Sequence, residues 1–154
     1  MSTDDVGRQA HRAFAKDCNN GAYDLLARPD RTDAETEAMV DMAHAAKHHW
    51  HEGGGTPVNE VRAEYLLGRV YAFAGRSEPA LHHAGRALAR AEDLGLGDFD
   101  LAFAHEGLAR ALACGGDLDD ARAELSVARA VPIADAEDKE IFDADAAAGP
   151  WFGL

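Results

Sequence analysis

The sequence predicts an all-α protein built from antiparallel helical hairpins. Apolar residues recur at intervals of three and four positions rather than two, proline is scarce within the periodic stretches, and β-branched residues are few. One pattern of leucines and small residues also occurs twice, with Leu67 and Leu108 as the first members, 41 residues apart. Small residues where antiparallel helices touch, with a glycine at the turn, indicate helical-hairpin repeats. The two copies are Leu67, Gly68, Tyr71, Gly75, Ala80 and Ala87, and Leu108, Ala109, Leu112, Gly116, Ala121 and Ala128.

Capping and helix-breaking residues divide the chain into six or seven helices. Thr32 and Glu35 have the spacing of a capping box, and Thr56 followed by Pro57 is a typical helix start. Asp98, Asp117 and Asp135 are further expected caps, because aspartate accepts from the free amides of a first turn. The predicted helices span residues 4 to about 18, 33 to about 51, 57 to about 74, 77 to about 94, 99 to about 114, 117 to about 130 and 135 to about 148, with a turn of helix at 23–27 after a stop at 19–21.

The length and net charge of the chain limit the classes of function that it can have. A chain of 154 residues suits one domain, and 28 acidic residues against 15 lysines and arginines give a formal charge of −13. Such a field repels nucleic acid and anionic membranes, so we expect neither as a partner. The polar start and the lack of a long apolar run favour a cytoplasmic location. Cys18 and Cys114 are expected to be small buried thiols.

The repeated spacing carries a resemblance to a known family. The spacing Leu67-Gly68-x-x-Tyr71 with Gly75, Ala80 and Ala87 resembles the tetratricopeptide repeat (TPR), and the second copy keeps the pattern with Ala109 and Leu112. The clearest repeats are residues 61–95 and 101–131, within a single TPR-like domain spanning residues 1–154. The resemblance implies a short curved stack of hairpins, with the first helix of each hairpin lining a concave face.

The resemblance also implies a binding groove and a function. Carried over by position, the groove residues are Arg62, Tyr65, Arg69, Phe73, Phe103, Glu106 and Arg110. Arg69 and Arg110 occupy the same repeat position, so two guanidinium forks are expected to converge on one anion. The function expected is a non-catalytic protein or peptide interaction module, without a cofactor, that binds an acidic or carboxylate-bearing partner. The alternative is that Arg69 and Arg110 pair with Glu64, Glu106 or Asp100 and only fasten neighbouring hairpins.

Clustered histidines support a competing class, a metal-binding protein or a small metal-dependent enzyme. His44 and His48 are four residues apart on one helical face, with His51 further along, and such spacing suits a transition metal. The candidate ligands are His44, His48, His49, His83, Asp98 and Asp100. The chain contains no H-E-x-x-H or C-x-x-C sequence, so nothing designates a catalytic water or a general base.

The segment 149–154 is apolar after an acidic chain. It contains Trp151, Phe152 and Leu154, which would promote association if they were exposed. We expect the segment to fold back over the last helix, as terminal repeats require. The alternative is that it enters the groove and places its carboxylate on Arg69 or Arg110. A homodimer formed through an exposed terminal helix is a further expectation.

Overall fold

The computed structural model, which describes residues 1–154, contains seven α-helices and no strands. The all-α prediction is therefore confirmed. The helices are α1 (Thr3–Leu26), α2 (Asp33–Glu52), α3 (Pro57–Phe73), α4 (Ser77–Asp93), α5 (Asp98–Cys114), α6 (Leu118–Ala130) and α7 (Ala136–Ala147).

Local capping signals set two of the helix starts as expected. The Thr32 hydroxyl accepts from the Glu35 amide, and the Glu35 carboxylate accepts from the Thr32 amide at 2.9 Å. Thr56 and Asn59 form the same reciprocal pair ahead of α3, with Pro57 in the first turn. These caps satisfy amides that would otherwise lack partners, so both helices begin where the sequence predicts.

The first helix is longer than the sequence predicts. α1 continues through residues 19–21, so the expected stop there is wrong. Gly21 lies against the Met42 side chain of α2, since a Cβ at this position would stand 2.8 Å from the Met42 sulfur. α1 packs along α2, and this tertiary packing outweighs the local tendency to end the helix.

Asp98 does not cap α5 as expected. Gly97 occupies the N-cap position, and Asp98 lies in the left-handed region with φ of 55°. Its carboxylate accepts from the Phe99 amide at 2.7 Å and from the Ala134 amide at 3.1 Å. Asp98 therefore ties the start of α5 to the connection between α6 and α7.

Consecutive helices pack as three hairpins, α1 with α2, α3 with α4, and α5 with α6. The hairpins are joined because α2 packs on α3, and α5 packs on both α3 and α4. Alanine dominates the interfaces, for example Ala80, Ala84 and Ala111 between α4 and α5, which are buried. Small side chains allow close helix contacts, so the core is tight but contains few large groups.

The last helix and the segment after it cover α5. Phe142 of α7 is 1% exposed and lies edge-on to Phe103 of α5. The chain then turns back, and the Trp151 indole donates to the Ala146 carbonyl at 3.0 Å while Leu154 packs beside the same core. The expected fold-back of residues 149–154 is confirmed. None of the seven helices combines the length and apolar character that crossing a bilayer requires.

Candidate functional site

A groove runs between α1 and α7 over a floor made by α3 and α5. It consists of two cavities of about 620 and 610 Å³ that adjoin at Tyr23 of α1 and Asp145 of α7, since both residues line both cavities. We call the first cavity the arginine end, because Arg28, Arg31 and Arg69 line it. We call the second the aspartate end, because Asp100, Asp138 and Asp145 line it.

The structure places five of the seven predicted groove residues at this surface. Arg62, Tyr65 and Phe103 line the aspartate end, and Arg69 and Phe73 line the arginine end.

The prediction is wrong for the remaining two residues, Glu106 and Arg110, which are both 0% exposed. They lie beneath the floor, because α7 and the segment after it close over α5 at this point. Neither side chain is therefore available to a partner.

Under the floor, two arginines share one carboxylate. Glu106 accepts from Arg110 Nε at 2.9 Å and from Arg69 Nη1 at 3.4 Å. The Tyr65 hydroxyl donates to Glu106 at 3.2 Å and accepts from Arg69 at 2.9 Å. Burial raises the pKa of Tyr65 well above 10, so this hydroxyl keeps its proton. The arginines thus fasten neighbouring hairpins, as the alternative interpretation states. Together, Arg69, Arg110 and Glu106 carry one net positive charge.

Arg110 also holds the end of α7. Its Nη1 donates to the carbonyls of Ala148 and Pro150 at 3.0 and 2.9 Å, and its Nη2 donates to the Asp145 carbonyl at 3.0 Å. The guanidinium group lies 4.1 Å from the centre of the Trp151 ring. A cation near the last carbonyls of a helix is stabilising, so Arg110 secures one wall of the groove.

Three guanidinium groups surround Phe73 at the arginine end. Those of Arg69, Arg110 and Arg31 lie 5.0, 5.3 and 5.7 Å from the ring centre. Arg31 Nη1 donates only to backbone carbonyls, those of Leu25, Leu26 and Arg28, and its buried Nε has no hydrogen-bond partner. The charge of Arg31 therefore has no carboxylate partner.

Two further carboxylates lie near the arginine end without cancelling its charge. Arg28 pairs with Glu35 at 2.9 Å, and Asp145 lies 4.0 Å from Arg69. Asp145 is the only acidic residue that lines this cavity, against three arginines. The arginine end is therefore positive within a strongly acidic protein.

The aspartate end combines apolar walls with an unpaired carboxylate. Arg62 binds both oxygens of Asp100, at 2.9 and 3.2 Å, so these two charges cancel. Asp138 is half-buried and accepts no hydrogen bond through its side chain. Phe99, Phe103 and Ile141 supply the walls.

Tyr23 marks the junction of the two ends. It is 39% exposed, yet the groove walls displace enough water to raise the pKa of its phenol to about 12, with Arg69 opposing the shift. Tyr23 therefore keeps its proton across the physiological range and offers a hydroxyl to whatever occupies the groove.

The structure does not gather the predicted metal ligands into one site, although the ring centres of His44 and His83 lie 5.8 Å apart. His44 Nε2 lies 2.8 Å from the Tyr71 hydroxyl, His83 Nδ1 lies 2.7 Å from Glu64, and His49 Nδ1 lies 2.8 Å from His11 Nδ1. Asp98 and Asp100 make the backbone and arginine contacts described above.

His48 lies beside His49 on α2. No group of three or more histidine, cysteine, aspartate or glutamate side chains is arranged to hold a metal ion. The predicted histidine-based metal site is therefore not assembled: His44 pairs with Tyr71, His83 with Glu64, and His49 with His11.

The groove residues that sequence reasoning missed include Tyr23, Arg31, Asp138 and Asp145. They belong to α1, its connection to α2, and α7, which lie outside the repeated pattern. No protein-family model matches the chain, and no curated protein or solved structure matches it significantly.

Proposed function

We propose that this protein is a non-catalytic, TPR-like interaction module whose groove binds an acidic segment of a partner protein. Three consecutive hairpins and a groove lined by α1, α3, α5 and α7 support the TPR-like description. The observation that carries the proposal is the charge at the arginine end. There Arg69 shares the buried carboxylate of Glu106 with Arg110 beneath the floor, and Arg31, which lines the cavity, has no carboxylate partner.

The surroundings of these arginines suit a carboxylate. A guanidinium group offers parallel donors that match two carboxylate oxygens, and the match is stronger where water is partly excluded. The Arg69 side chain is 8% exposed and is held in place by Tyr65 and Glu106, so little conformational entropy is lost when it binds. The site is thus organised before a ligand arrives.

The shape of the groove suits an extended segment. Its two cavities follow one another along α3, from Arg69 to Arg62, rather than forming one deep pocket. An extended peptide advances about 3.3 Å per residue, so a few residues span this floor. Unpaired backbone groups of the segment would find Tyr23 and Asp145 at the centre.

Fluorescence anisotropy with short capped peptides tests the proposal. One labelled peptide carries glutamates and its partner carries glutamines at the same positions. We expect the glutamate peptide to bind and the glutamine peptide to bind at least about fivefold more weakly, because only the first pairs with arginine. Rising salt should weaken the glutamate peptide selectively.

Two variants locate the binding. Arg31→Gln removes a groove cation, and Arg90→Gln removes a cation on α4 that pairs with Glu60 away from the groove. Loss of affinity in Arg31→Gln with none in Arg90→Gln supports the proposal. Equal affinity for both peptides, or equal loss in both variants, overturns it.

A further inference from the structure

The two ends of the groove carry opposite charges, and this observation deepens the proposed function, on which the following inference rests. Three arginines and one aspartate line the arginine end, whereas one arginine and three aspartates line the aspartate end. Arg62 is already neutralised by Asp100, and Asp145, which lines both ends, lies 4.0 Å from Arg69, so Asp138 is the carboxylate of this end without a cation partner. A ligand with acidic groups only would meet attraction at one end and repulsion at the other.

The aspartate end fits a long cationic side chain. Phe99, Phe103 and Ile141 offer apolar walls for an aliphatic stem, and Ile141 is 51% exposed in the free protein. Asp138 accepts no hydrogen bond through its side chain and lines the same cavity. Lysine and arginine bury their methylene groups along apolar surfaces while their charged heads reach polar partners. One such residue would satisfy both features together.

The separation of the two ends of the groove follows from α3, because Arg69 lines one end and Arg62 lines the other. Arg69 and Arg62 are on this helix, seven residues apart, which corresponds to about 10 Å at 1.5 Å per residue. An extended segment covers about 10 Å in about three residues. We infer that the segment bound in the groove is zwitterionic, with an aspartate or glutamate at the arginine end and a lysine or arginine about three residues away at the aspartate end.

The test uses capped peptides of equal length that differ only in two positions three residues apart. One pair carries glutamate and lysine in the two possible orders, because the direction of the chain in the groove is left open. The others carry two glutamates, two lysines or two glutamines. We expect the better zwitterionic peptide to bind at least about fivefold more tightly than the two-glutamate peptide.

Variants on α7 assign the lysine contact. Asp138→Asn should remove the advantage of the zwitterionic peptide and leave the affinity of the two-glutamate peptide unchanged or slightly improved. Glu137→Gln is the matched control, since it removes a neighbouring carboxylate of the same first turn that does not line the groove. It should leave both affinities unchanged.

The outcomes distinguish a failure of the zwitterionic ligand from a failure of the proposed function. If the two-glutamate peptide binds and lysine adds nothing, or if Asp138→Asn does not reduce the advantage, the zwitterionic ligand is wrong and the acidic-segment proposal stands. If neither the zwitterionic nor the two-glutamate peptide binds better than the two-glutamine peptide, the proposed function fails as well.

Discussion

Gly68 of α3 lies directly against Ala84 of α4. A Cβ on Gly68 would stand 3.0 Å from the Ala84 amide nitrogen and 3.1 Å from its Cβ. Alanine at position 68 would gain about 1 kcal/mol in helix propensity, but it would push two helix backbones apart at a cost of about 1–3 kcal/mol. We expect Gly68→Ala to destabilise the protein, which urea unfolding followed by circular dichroism measures.

Gly85 provides the matched control for this prediction. It lies in the interior of α4, and a Cβ built on it would meet nothing within 4 Å. Gly85→Ala should therefore stabilise the protein by about 0.5–1 kcal/mol. Equal effects of the two substitutions would show that the close approach of α3 and α4 is absent in solution.

Replacing Arg110 should be among the more damaging single changes. Arg110→Met leaves Glu106, which is 0% exposed, with a more distant arginine, and removes the donor from three carbonyls at the end of α7. Breaking a buried ion pair from one side costs about 3–5 kcal/mol. The free energy of unfolding in urea is the measurement.

Arg122→Met serves as the reference for the Arg110 substitution. Arg122 is exposed and pairs with Asp119, whose side chain is fully exposed. A surface pair of this kind is worth at most about 1 kcal/mol, so this variant should be close to wild type. A loss below about 1 kcal/mol in Arg110→Met would contradict the buried pairing described for Glu106.

Glu64 should contribute to acid sensitivity. Burial alone would raise the pKa of its carboxyl, but His83, Lys47 and Arg86 donate to it and lower the pKa from 4.5 to about 2. A carboxyl with a depressed folded-state pKa stabilises the protein above its unfolded pKa of 4.5, and this stability is lost as the pH falls towards 2. The difference corresponds to about 3 kcal/mol.

Unfolding measured along an acid titration tests this effect. Wild type should lose more stability between pH 4.5 and 2 than Glu64→Gln does, since the variant has no carboxyl to protonate. Glu60→Gln, on the same helix but with an exposed side chain, should retain the acid response of wild type. Parallel curves for wild type and Glu64→Gln would refute the assignment.

His49 should titrate below the ordinary histidine value. Burial lowers its pKa from 6.5, and the neighbouring His11 and His48 lower it further, with Glu52 opposing them. The Nδ1 atoms of His11 and His49 are 2.8 Å apart, so a single proton fits between them. Because the folded-state pKa is depressed, the protein loses stability as the pH falls through 6.5.

Titration of the histidine ring resonances by NMR measures this pKa directly. His11→Gln should raise the pKa of His49 towards 6.5, whereas His51→Gln, further along α2, should leave it unchanged. A His49 pKa at or above 6.5 in the wild-type protein would show that the two rings do not meet.

Local signals explain why much of the helix pattern is predictable. Thr32 with Glu35 and Thr56 with Pro57 act within one turn, so their effects can be read from neighbouring residues. Gly21 is different, because α1 continues through it while packed against another helix, where Met42 is its neighbour. Local propensity alone could not show that contact.

The groove is likewise predictable from the sequence only in part. The period of the repeat places Arg62, Tyr65 and Arg69 on one face of α3, and that face does line the groove. The repeat could not show that α7 and Trp151 cover Arg110, because α7 lies outside the repeated pattern. The burial of Glu106 follows from the same cover.

Because two arginines share one carboxylate, these three positions are expected to change together when the sequence diverges. Loss of Glu106 alone would leave Arg69 and Arg110 without a buried countercharge, and loss of Arg110 alone would leave the glutamate short of its nearest donor. Positions 69, 106 and 110 therefore tolerate change only as a set. In a descendant with an apolar residue at 106, uncharged residues at 69 and 110 should accompany it, and the arginine end of the groove would keep only Arg28 and Arg31.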